Sequence, residues 1–181
     1  MKYISRIILK LVGWKYIQTT PKLNKSVVCV APHTSNWDFV YAKLGYMATG
    51  NKDSYFLMKK SWFFFPMGIF FKSMGGIPVD RKTSTSLTDK IAKEFSENDN
   101  FHFGIAPEGT RKPVKKWKKG FYHIALKADV PIQLAFLDYA KKECGITEVF
   151  YPTGNEEADL KEIRRFYNDK NAKFPNHFSK I

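Results

Sequence analysis

Short runs of almost wholly apolar residues recur along the chain, each breaking into a polar turn and then into a stretch with helical spacing. "VVCVA" (27–31) passes through "PHTSNWD" into a helix whose apolar face is Trp37, Val40, Leu44 and Met47, with Gly50 as its stop. "SYFLMKK" and "GGIPVDR" read as short strands, and "TSTSLTDKIAKEF" as a helix with Leu87, Ile91 and Phe95 along one face. "FHFGIAPEGTR" is a strand running into charge, followed by helical spacing through Trp117, Phe121, Ile124, Ala125 and Ala128. "VPIQLAFLDY" and "ITEVFYP" are strand-like, and Leu160, Ile163 and Tyr167 line a last helix. Alternation without repeats or low-complexity linkers predicts an α/β fold with a mixed, largely parallel β-sheet flanked by helices. The 181 residues suffice for a single domain, 1–181, with one proper core.

Two stretches stand apart from this pattern. In residues 1–20, Ile4, Ile7, Ile8, Leu11 and Val12 recur at helical spacing with Lys2, Arg6 and Lys10 elsewhere on the wheel, and Trp14 and Tyr16 at the end. This describes an amphipathic helix lying in a membrane interface as well as one packed on a core. It is neither a signal peptide nor a spanning helix, since charge breaks the apolar run and no small-residue cleavage site follows. "WFFFPMGIFF" (62–71), bracketed by Lys59, Lys60 and Lys72, is too short to cross a bilayer; it reads as a core loop or as a patch that dips into lipid.

Charge narrows the partners. Thirty Lys and Arg against seventeen Asp and Glu leave a net charge of +13, and aromatics reach 16%. Such a surface seeks polyanions: anionic lipid, nucleic acid, or an acidic or phosphorylated partner. Cys29, inside an apolar run, and Cys144, in the turn-like "KKECGI", form no CxxC or Cys/His cluster. They predict neither a zinc site nor a disulfide framework, and fit a reducing cytosolic setting.

Three charged clusters fall at strand ends: His33 to Asp38, Asp80–Arg81, and Glu108 to Arg111. Ligands of open α/β sheets bind beyond the carboxyl ends of the strands, so the three suggest one composite site. With His33 in the turn and Asp38 in the first helical turn, the carboxylate can fold back on the imidazole; Thr34, Ser35 and Asn36 supply caps between them. A carboxylate on one ring nitrogen fixes the tautomer and raises basicity, leaving the other nitrogen to take a proton. No G-x-S-x-G is present and neither cysteine looks activated, so a substrate hydroxyl would be the nucleophile. An isolated H-x4-D pair would serve equally as a capped turn, because that spacing is common by chance.

The pair is not isolated. "HTSNWD", "GGIPVDR", "PEGTR" and "VPI" stand in the order and approximate spacing of the glycerolipid acyltransferase family, and the chain resembles its 1-acylglycerol-3-phosphate acyltransferases, which make phosphatidic acid. The matched motifs run over 33–132. The resemblance implies that His33 is the general base for the acceptor hydroxyl and that Asp38 orients it. It also implies that Arg81, Glu108, Gly109, Thr110 and Arg111 shape the acceptor pocket, with the arginines on the phosphate. It further implies an acyl thioester donor, on coenzyme A or acyl carrier protein, a lysolipid acceptor, no metal and no bound cofactor. Localisation would be peripheral, at the cytoplasmic face of the cell membrane. Arginine suits two-pronged phosphate contacts, and "KPVKKWKKG" brings five lysines beside the pocket to meet lipid phosphates or an acidic carrier.

Pro32 stands where the family usually has Asn, and Lys112 where it often has Ser. These departures leave room for another lysolipid or an acyl-amino-acid lipid as acceptor. A basic nucleic-acid-binding module is the rival from another class, but no recognition motif supports it. A thioester hydrolase, with water in place of the acceptor, is the rival within the same chemistry.

Overall fold

The computed structural model describes residues 2–50, 53–79 and 85–178, and the statements below concern these. Helix α1 (Lys2–Leu11) leads to strand β1 (Lys15–Gln18) and to the central strand β2 (Lys25–Ala31). Then follow α2 (Asn36–Ala48), β3 (Ser54–Lys59), α3 (Met67–Ser73), β4 (Gly76–Val79), α4 (Thr85–Glu97) and β5 (Phe101–Ile105). The chain continues through α5 (Gly120–Ala128), β6 (Ile132–Asp138), β7 (Glu143–Phe150) and α6 (Glu156–Tyr167). The sheet runs β1-β7-β6-β2-β5-β3-β4, and every neighbouring pair is parallel except β6 with β7. This is the mixed, largely parallel α/β sheet that the alternation predicts.

Strand periodicity divides the core in two. Val27, Cys29 and Ala31 of β2 join the large cluster built with Phe101 and Phe103 of β5, Phe121 and Ile124 of α5, and Leu160, Ile163 and Tyr167 of α6. Val28 and Val30 point the other way, as the period of two requires, toward α2. There the packing is thinner: a small cluster of Leu9, Trp14, Ala48, Leu137 and Cys144. Gly45 of α2 lets the helix approach β7, since a Cβ there would sit 3.0 Å from the Cys144 sulfur. Between α2 and the sheet the structure leaves a cavity of about 740 Å³.

Several local expectations are corrected. The predicted helix over 1–20 stops at Leu11: Gly13 takes φ +76° and the Trp14 amide donates to the Leu9 carbonyl, a glycine-dependent termination. Residues that follow pair with β7 as strand β1, which helical spacing did not disclose. The α1 stripe turns outward, with Ile4, Ile7 and Leu11 (81% exposed) in the open, while Ser5 and Leu9 face the fold. On α2 the inward face is Gly45, Tyr46 and Ala48, and Trp37 and Val40 are exposed. Trp117 is buried but precedes α5, and Cys144 is buried in β7 rather than lying in a turn. The 62–71 segment runs from the end of a short 3-10 turn (Lys60–Trp62) into α3; Phe71 is buried while Phe64, Phe65 (84% exposed), Ile69 and Phe70 are not.

Candidate active site

The loops that leave β2 and β5 meet at the carboxyl edge of these adjacent parallel strands, which brings 33–38 and 108–111 together. Asp80 and Arg81, predicted as the third corner, lie outside the described residues.

Ser35 is the N-cap of α2, its hydroxyl accepting from the Trp37 amide at 3.2 Å. That places Asp38 at the third helical position, where a carboxylate completes a capping box and meets the positive end of the helix dipole. The side chain is 1% exposed. Its Oδ2 accepts from the Thr34 and Ser35 amides at 2.6 and 2.7 Å, and its Oδ1 accepts from the Tyr139 hydroxyl at 2.6 Å. Its Oδ2 also lies 3.5 Å from Nδ1 of His33, an approach longer than a firm hydrogen bond. The imidazole is partly exposed at the mouth of the cavity. One buried carboxylate thus organises the turn and faces the ring.

Glu108 is the second buried carboxyl. At 2% exposure it turns away from the cavity and its Oε1 accepts from the backbone amide of His33 at 2.8 Å, joining the two loops. Among the described residues its Oε2 has no hydrogen-bond partner. Burial pushes the carboxyl up to about 8, the Asp38 charge adds to this, and the His33 amide opposes it. The sequence reading put this residue on the acceptor pocket; in the structure it is not among the residues lining the cavity and is bonded to the backbone of the His33 turn.

Gly109, Thr110 and Arg111 do line the cavity, together with Lys118. Gly109 has φ +64°, a left-handed conformation that calls for glycine; a Cβ there would meet only the end of the flexible Lys118 side chain. The Lys118 amide donates to the Pro107 carbonyl at 2.7 Å, which folds the lysine-rich segment back over the loop. Arg111 is exposed. Deeper in, Lys43 of α2 donates to the Ser54 hydroxyl at 2.6 Å and the Met74 carbonyl at 2.8 Å, tying α2 to β3 and the turn before β4. Burial lowers its pKa to about 8. Apolar walls from Val28, Val30, Phe39, Ala42, Tyr46 and Phe56 complete the cavity.

The Acyltransferase sequence family matches residues 9–134, well over half of the chain. This chain belongs to the acyltransferase family. The match contains His33, Asp38 and the 108–111 loop, and it bears out the resemblance carried by the four motifs. Among solved structures, the chain is similar to the 1-acyl-sn-glycerophosphate (LPA) acyltransferase PlsC of Thermotoga maritima. The TM-score is 0.61 at 19% identity, over 91% of this chain and 76% of that one. At that identity the likeness establishes the shared fold. No curated protein matches the sequence.

Tyr139, Lys43 and Lys118 are residues of the site region that sequence reasoning did not single out. Tyr139 is 101 positions from Asp38 and belongs to no local spacing rule. Lys118 is read from sequence only as one of a basic run.

Proposed function

We propose that this acyltransferase moves a fatty acyl group from a thioester, on acyl carrier protein or coenzyme A, to the hydroxyl of a lysophosphatidic-acid-like acceptor. The observation that carries the reading is the His33–Asp38 pair at the mouth of a largely apolar cavity that also bears the exposed Arg111. His33 Nε2 accepts the acceptor's hydroxyl proton as that oxygen attacks the thioester carbonyl. The tetrahedral intermediate collapses to the ester and expels the thiolate, which takes the proton back from the imidazolium. Asp38, held by three donors, holds the ring's Nδ1–H side and stabilises the transient cation. Arg111, with Arg81, meets the acceptor phosphate, and the cavity takes the acyl chain.

The reaction would run at the cytoplasmic membrane surface. No helix among the described residues is long and apolar enough to cross a membrane. The outward stripe of α1 and the exposed Phe64, Phe65, Ile69 and Phe70 have the character of interfacial anchors, and the net charge of +13 favours anionic lipid. Incubating the protein with a labelled acyl thioester and a panel of lysolipids, then identifying the product, tests the reading. Acylated lysophosphatidic acid supports it; a different acylated acceptor redirects it, and free fatty acid formed at the same rate without acceptor refutes it in favour of a hydrolase.

A further inference from the structure

We propose that Tyr139 is a positioning residue for acyl transfer, fixing the Asp38 carboxylate so that its Oδ2 edge is presented to His33. The inference rests on the assignment of His33 and Asp38 made above. It lies outside the family match, which ends at 134.

The geometry divides the two oxygens of Asp38. Oδ2 is shared by the Thr34 and Ser35 amides and approached by His33 Nδ1, while Oδ1 accepts from the Tyr139 hydroxyl at 2.6 Å. Donors on both edges remove the carboxylate's freedom to rotate about its last bond. Two amide donors on one oxygen would by themselves leave the other oxygen buried and unsatisfied, a costly arrangement for a charge. Tyr139 supplies the missing donor.

The hydroxyl is itself held from several directions. Tyr139 directly follows β6, and its amide donates to the Asn171 carbonyl at 2.8 Å. Asp138 beside it accepts from the Ala140 and Lys141 amides and from the Asn171 side chain, which sets the turn. The phenol ring meets Trp14 edge-on at 5.0 Å and Tyr41 at 6.0 Å, and Trp14 stacks on Tyr41 at 4.1 Å. Burial first, and the bond to Asp38 second, push the phenol's pKa upward, so it stays a neutral O–H donor wherever the enzyme works. A hydroxyl fixed by a turn and two aromatic rings is suited to aim a partner rather than to react.

The test measures kcat and KM for Tyr139→Phe in the wild-type background and in Asp38→Ala. Because the residue acts only through Asp38, kcat should fall roughly tenfold or more in the first background with KM unchanged, and should not fall further in the second. Equal losses in both backgrounds, or normal turnover of Tyr139→Phe, would overturn the proposal. Proton NMR gives a readout independent of turnover. The downfield His33 ring N–H signal, identified by its absence in His33→Ala, should shift in Tyr139→Phe, and an unmoved signal counts against the idea. If Tyr139→Phe does not fold, Trp14→Leu frees the ring without removing the hydroxyl and should give the same background-dependent loss, while a loss in both backgrounds refutes it. Near-normal turnover of His33→Ala would sink the catalytic reading itself; inactive His33→Ala with normal Tyr139→Phe sinks the present inference alone.

Discussion

Replacing Glu108 with Gln should flatten the decline of stability with rising pH. The carboxyl is buried against the His33 turn, accepts one amide hydrogen bond, and has its second oxygen unpartnered among the described residues, so burial favours its neutral form. Burial raises it from its ordinary 4.5 to about 8. A folded pKa above the unfolded value means the folded state holds the proton more tightly. Its contribution to stability is therefore complete below about pH 4.5 and disappears as pH climbs to about 8. At about 1.4 kcal/mol for each tenfold change in proton concentration, that interval spans on the order of 5 kcal/mol. Glutamine matches the neutral acid in shape, keeps an acceptor for the His33 amide, and does not titrate. Melting curves of both proteins from pH 5 to 8.5 provide the assay. The two should melt within a few degrees of each other at pH 5, while at pH 8.5 the glutamine variant should be higher by on the order of 10 °C. Other titrating groups act on both proteins alike and cancel in the difference. Parallel curves across the range would show that Glu108 titrates alike in the folded and unfolded chain, and that its burial costs the charge little.

His33→Ala should reduce acyl transfer by about 10²–10⁴-fold with an unchanged melting temperature, measured with labelled donor; near-normal turnover would return the pair to a capped turn. Arg111→Lys keeps the charge but loses the planar fork, so KM for a phosphorylated acceptor should rise roughly tenfold while donor KM holds; an equal rise for a phosphate-free acceptor would make the arginine structural. Replacing the outward Ile4, Ile7 and Leu11 of α1 with Ser should release the protein from anionic vesicles in a flotation assay without lowering its melting temperature; a variant that still floats would show that α1 is not the anchor.

What the sequence disclosed and what it hid follow one physical division. Elements with a strong local period, such as β2 and the Leu87–Ile91–Phe95 face of α4, were legible because burial on a sheet imposes that period directly. Strand β1 was not, because four residues after a glycine-terminated helix acquire their state from β7, well over a hundred positions away. The same holds within the site. His33 and Asp38 were readable because a turn and a cap bring near neighbours together, and Gly109 because its φ is a local demand. The bond from the His33 amide to Glu108 was not legible: a motif gives the position of a carboxyl, while only the meeting of the β2 and β5 loops gives its hydrogen-bond partner. The α2 face was misread for a related reason. A helix that roofs a cavity leaves apolar residues such as Phe39 and Ala42 lining open space, so the hydrophobic pattern no longer marks where the helix touches its sheet. Apolar periodicity that does not mark the packed face is thus what a helix over a cavity looks like from sequence, and here that helix follows directly on the His33 turn.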